Sequence, residues 1–160
     1  MIDMKTKLKR AGKVKMAMAV FIIIAAALLT GCIASGKNLE PSQYFDGDFD
    51  SSGLIRLTTD QSSYPKGTNT ISYTVTNSSN REVYYGVSYS VEMKLRGAWH
   101  QLPFKDSTAW IAIAYKLESG ESQSYQADLS LLRFSLSQGE YRLVKQVGEK
   151  LYSAEFAIGE

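Results

Sequence analysis

The chain has one cysteine and one histidine among its 160 residues. A lone thiol, Cys32, cannot close an internal disulfide, so any fold rests on a hydrophobic core and backbone ladders. A lone imidazole, His100, excludes multi-histidine metal sites, and no further cysteine is left to serve a Cys-His pair. Serines are plentiful, yet no Gly-x-Ser-x-Gly elbow occurs. The longest apolar run, residues 16–29, is short of the roughly 20 residues needed to span a bilayer. No helical period of core length follows it. No catalytic constellation is on display, and the sequence implies neither an enzyme nor a cofactor.

What is present begins with charge. Lys5, Lys7, Lys9, Arg10, Lys13 and Lys15 face the single acid Asp3 at the start of the chain, a basic region that stays on the cytoplasmic side during export. The apolar run behind it has the length of a cleaved signal helix, within the usual range of roughly 7–15 residues. Lys15 interrupts the run on one side, and Ser35, Gly36 and Lys37 end it on the other, which disfavours an uncleaved membrane span. Leu29-Thr30-Gly31-Cys32 then closes the segment and resembles the lipobox of bacterial lipoproteins. That resemblance implies diacylglyceryl transfer to the Cys32 sulfur and cleavage between Gly31 and Cys32. Two acyl chains give stable anchoring, each buried methylene contributing about 0.8 kcal/mol. The expected partner at this end is therefore the cell membrane, reached from its extracytoplasmic face.

Removing residues 1–31 changes the charge balance. The formal charge of the whole chain is +2, but from Cys32 onward twelve Lys and Arg stand against fifteen Asp and Glu. A mature chain of about −3 gives no support to nucleic-acid binding. Its size suits one domain. Residues 32–52, rich in Ser, Gly, Asn and Asp and without an apolar period, read as a flexible tether.

Residues 53–160 carry the pattern of an all-β sandwich, short segments of period two separated by turn signals. Ile55 and Leu57 alternate with Arg56 and Thr58; Ile71, Tyr73 and Val75 alternate with Ser72, Thr74 and Thr76. Val83, Tyr85, Val87, Tyr89, Val91, Met93 and Leu95 occupy every odd position, while Glu82, Ser88, Ser90, Glu92 and Lys94 occupy even ones. This is one long strand or two bent at Gly86. A tight hairpin at Arg96-Gly97-Ala98 leads to a strand in which Trp99 is expected to face the core and His100 solvent. Residues 109–115 read as a further strand with Ile111, Ile113 and Tyr115 in phase, and residues 124–129 as another. Leu131, Leu132, Phe134 and Leu136 break the period and suggest a short helical turn over the core. Residues 141–147 and 151–158 form the last hairpin.

Several segments together resemble a bacterial immunoglobulin-like domain family of lipoproteins. They are Tyr64-Pro65-Lys66-Gly67, Val75-Thr76-Asn77, the stretch Trp99-His100-Gln101-Leu102-Pro103-Phe104, the turn Leu117-Glu118-Ser119-Gly120-Glu121, and Leu136-Ser137-Gln138-Gly139-Glu140-Tyr141-Arg142. Gly139-Glu140-Tyr141 is also similar to the tyrosine corner of sandwich domains. The resemblance implies an antiparallel sandwich of about 7 to 9 strands. It also implies a surface-displayed module without catalytic activity but names no ligand; the expected partner is an unidentified protein or cell-envelope ligand. The cysteine pair of antibody domains is absent.

Three features are weighed as sites. Asp46, Asp48 and Asp50 stand at alternate positions as a calcium loop begins, but Ser51 and Leu57 occupy the places of its Gly and Glu, so a solvated acidic linker is the better reading. Tyr84 and Trp110 fall out of phase with the apolar positions around them and are candidates for partner contact, with packing as the alternative. Residues 104–109 would be the loop of a peptidase inhibitor, the rival function.

Overall fold

The computed structural model describes residues 38–159. The expected signal peptide, Gly31, Cys32 and the start of the expected tether lie outside them. Among the described residues ten strands occur: β1 (Ile55–Thr59), β2 (Ser63–Tyr64), β3 (Thr70–Asn77), β4 (Val83–Gly86), β5 (Ser90–Leu95), β6 (Ala98–Gln101), β7 (Ala114–Leu117), β8 (Ser122–Asp128), β9 (Gly139–Val147) and β10 (Lys150–Ile158). One sheet runs β1-β3-β8, a second β2-β10-β9-β5-β6, and β4 pairs with β7 alone. All ladders are antiparallel except that of β2 with β10. This is the expected all-β sandwich, with a two-residue strand added and the long odd-phase segment divided.

Period two decides what is buried. Ile71, Tyr73 and Val75 of β3 meet Val91 of β5, Leu143 of β9 and Phe156 of β10 in one core. Tyr141 stacks on Phe156 with ring centroids 5.6 Å apart and donates its hydroxyl to the Ser137 carbonyl at 2.6 Å, as the tyrosine corner requires. The expected helical turn over the core is a 3-10 turn at Leu129–Leu131, and Leu132 and Leu136 beyond it are buried.

The division between β4 and β5 has a visible cause. Lys145 of β9 donates from Nζ to the carbonyls of Gly86, the last residue of β4, at 2.7 Å and of Ser88, between the two strands, at 3.0 Å. The same ammonium lies 5.6 Å from the Tyr73 ring and 5.4 Å from the Tyr85 ring. Burial lowers its pKa to about 8.

Asn77 is fully buried at the end of β3. Its Nδ2 donates to the carbonyls of Arg81, Leu117 and Glu118, and its Oδ1 accepts from the backbone N–H and hydroxyl of Ser79. One side chain thereby joins the turn after β3 to the turn after β7.

Three expectations are corrected. The tether does not run free through residue 52: Gln101 N–H donates to Glu40 O, Ser42 N–H to Trp99 O and Asp50 N–H to Leu151 O, so residues 40–50 form a strap on the sheet. The 109–115 strand starts only at Ala114, because the residues before it have no partner strand; the Ile113 N–H turns back to Ile111 O instead. Trp99 and His100 are reversed. Arg96 and Gly97 both have positive φ, 51° and 85°, in a two-residue turn that pairs Leu95 with Ala98, Lys94 with Trp99 and Met93 with His100. Trp99 thus shares the outer face of Lys94, and His100 the core-side face of Met93.

Candidate functional site

The sequence pattern places Tyr73 on β3, Tyr115 on β7 and Tyr125 on β8, all pointing inward. β7 and β8 follow one another across the 118–121 turn but belong to different ladders, so they separate beyond it. The gap between them is a cleft of about 260 Å³. Tyr73 and Tyr89 are its buried floor, while Trp110, Tyr115 and Tyr125 are its more accessible walls. Gln126 and Asp128 at the end of β8 run along its edge, where the Asp128 carbonyl accepts from Tyr89. A second cleft of about 260 Å³, beside Thr68 and Arg133, has no aromatic side chain in its lining.

The rings support one another. Tyr73 stacks on Tyr125 at 5.7 Å, Tyr115 lies 5.1 Å from Tyr125, and Trp110 meets Tyr89 edge-on at 4.8 Å and Phe104 at 5.3 Å. Such pairs add about 0.5–1.5 kcal/mol each beyond burial, so the walls are set before any ligand arrives. The hydroxyls divide into used and unused. Tyr89 donates to Asp128 O at 3.0 Å, and Tyr85 and Tyr125 share a 2.9 Å hydrogen bond. Desolvation pushes the pKa of Tyr89 up to about 12 and those of Tyr73 and Tyr85 higher still. These phenols are neutral, hydrogen-bonding groups at any physiological pH.

Of the residues singled out in the sequence, Trp110 is 38% exposed on the cleft wall, next to Ile111 at 64% and Ile113 at 45%. Tyr84 is 49% exposed but sits elsewhere: it points away from Tyr85, on the other face of the β4–β7 ladder, where its hydroxyl donates to Glu82. The structure does not bring the two candidates together. Asp46 and Asp48 lie in a 3-10 turn, Asp48 accepting from the Phe45 N–H at 2.7 Å, while Asp50 accepts from Ser52 at 2.5 Å. Among the described residues no three acidic, His or Cys side chains gather as a metal set. His100 Nδ1 lies 3.1 Å from Ala98 O beside the strap. Residues 104–109 form a pinned turn: Lys105 N–H donates to Leu131 O, Thr108 N–H to Lys105 O, and Asp106 pairs with Arg133 at 2.5 Å.

A second polar cluster escaped sequence reasoning. Glu92 and Arg142, on the outer face of the larger sheet, are buried under the strap, and Ser42 donates to Glu92 Oε1 at 2.6 Å. The aromatic run Tyr44, Phe45 and Phe49 within the supposed tether was the available signal.

Comparison with known proteins agrees with the architecture. Residues 51–157 match the model of the bacterial Ig-like domain, and the chain belongs to that family. Comparison with curated proteins gives no match. Among solved structures the chain is similar to part of a Pseudomonas fluorescens alkylpurine DNA glycosylase (14% identity, 67% of this chain and 31% of that one, TM-score 0.40). It is also similar to part of an Erythrobacter marinus β-glucosidase (14% identity, 65% and 15%, TM-score 0.36) and to the sulfur carrier protein SoxY of Chlorobium limicola (14%, 67% and 78%, TM-score 0.31). The chain thus spans less than a third of the glycosylase and about a sixth of the glucosidase. Likeness at this level carries no functional argument.

Proposed function

We propose that this chain is a non-catalytic binding module displayed on the extracytoplasmic face of a bacterial membrane and anchored by a lipid on Cys32. The observation that carries the binding role is the open aromatic cleft on an Ig-like sandwich, with exposed Trp110, Ile111 and Ile113 beside it. The anchor is supported by the basic start, the apolar run and Leu29-Thr30-Gly31-Cys32. Its partner is a protein or another component of the cell envelope.

Mass spectrometry of the mature N-terminus tests the anchor. A diacylated Cys32 as first residue is expected, and Cys32→Ser should move the protein from the membrane to the soluble fraction. An intact Met1 or an unmodified Cys32 overturns the anchor. For the binding role, membrane pull-downs with the wild type and with Trp110→Ala should differ in what they retain; identical retention overturns a role for this cleft.

One observation favours a second reading, inhibition of a peptidase. The 104–109 turn is exposed at Lys105 and Asp106 and held at its base, as a loop that must keep its shape on an enzyme would be. Unchanged rates across a panel of secreted proteases would remove it.

A further inference from the structure

We propose that the aromatic cleft is a saccharide site, taking an uncharged sugar ring against Trp110, Tyr115 and Tyr125 over the hydroxyl of Tyr73. The inference rests on the binding-module reading and supplies its ligand class.

The floor points to a ligand independently of the walls. Tyr73 is only 3% exposed, yet its hydroxyl has no hydrogen-bond partner among the described residues and is not among the sealed, unsatisfied side-chain atoms. The hydroxyl is open to the cleft and unclaimed by the protein, so a polar atom entering there meets a free donor and acceptor. Tyr115 also has no hydrogen-bond partner among the described residues, so two phenols are available to one occupant.

Charge narrows the class. No cation lines the cleft. Lys145, behind the Tyr73 and Tyr85 rings, donates to Gly86 O and Ser88 O and is not turned to a phosphate or carboxylate in the cleft. Asp128, the one acidic residue on its edge, turns its backbone carbonyl to Tyr89 and caps the Ser130 N–H with its carboxylate. A cationic ligand would meet the Lys145 charge behind Tyr73 and Tyr85. An uncharged occupant remains, and it must offer both hydrogen-bonding hydroxyls and an apolar face. Sugar rings do so: their polarised C–H faces suit the negative faces of aromatic rings, and their hydroxyls suit the unpaired phenols of Tyr73 and Tyr115. A cleft of about 260 Å³ has room for one such ring rather than a folded segment.

The test uses the full chain in a detergent without a sugar headgroup, titrated calorimetrically with chitohexaose, cellohexaose and maltohexaose. Polygalacturonate and an uncharged proline-rich decapeptide serve as comparisons. At least one neutral hexasaccharide should bind, about tenfold more weakly to Trp110→Ala and severalfold more weakly to Tyr73→Phe. The latter removes only the unpaired hydroxyl and should leave the fold intact. Binding of none of the three sugars, equal binding by both variants, or cleft-dependent binding of the polyanion or the peptide instead would overturn the proposal. None of these outcomes depends on the mass of the N-terminus, so failure here is separable from failure of the anchor.

Discussion

Arg142 donates from Nε to Glu92 Oε2 at 2.6 Å while its guanidinium lies 4.6 Å from the Phe49 ring and 4.5 Å from the Trp99 ring. The pair joins the strap to two strands of the sheet. Removing one partner from a buried ion pair leaves an uncompensated charge, at a cost of about 3–5 kcal/mol. Glu92→Ala should therefore lower the urea unfolding free energy by that amount. Glu92→Leu combined with Arg142→Met should cost far less, because no charge is then stranded. Similar losses in the single and double variants would show that the pair is not what the strap depends on.

Asn77 satisfies five partners from two turns, so its replacement by Leu should leave several carbonyls and an N–H without partners. Each buried group left unpaired costs about 1–3 kcal/mol. The thermal midpoint of Asn77→Leu should fall well below that of an exposed-site control such as Asn80→Leu.

Stability should pass through a maximum near pH 10. Burial holds the folded pKa of Lys145 at about 8 against an ordinary value of 10.5, so between those values the unfolded chain holds a proton that the folded one has released. Stability then rises with pH, by at most ~3 kcal/mol. Above pH 10 the sign reverses. Tyr89 and Tyr152, raised to about 12 chiefly by desolvation, and Tyr73 and Tyr85, raised further, keep protons that the unfolded chain gives up. Urea titrations from pH 7 to 11 should show both limbs, and Lys145→Met should flatten the first while sparing the second.

Tyr141→Phe deletes one hydroxyl and leaves the ring stacked on Phe156. Loss of its bond to Ser137 O should cost about 0.5–1.5 kcal/mol, measurable as a lower denaturant midpoint at unchanged slope.

The strands were legible where alternation was long, as in β3 and β10. The orientation of Trp99 was not, because a four-residue edge strand containing adjacent Trp and His carries no phase of its own. Register supplies that phase. Counting Arg96-Gly97 as a two-residue turn would have placed Trp99 opposite Lys94, and therefore on the outer face. Glu92 sat correctly among the outward positions, yet it is buried, bonded by Ser42 and by an Arg142 that Phe49 covers; Ser42 and Phe49 come from far earlier in the chain and leave no local mark around it. The aromatic residues of the cleft could be read one by one as inward-facing. Their meeting at an opening depends on β7 and β8 joining different ladders, which is a property of pairing rather than of either segment.

The strap bears on how many copies can share a surface. An edge strand with free backbone groups is a template for another chain. At β6 the chain fills that place itself, Glu40 receiving from Gln101 and Ser42 donating to Trp99, with Pro41 between them. Crowded molecules are thereby denied edge-to-edge pairing along β6, and a chain shortened to begin after Asp50 should self-associate at concentrations where the longer one stays monomeric.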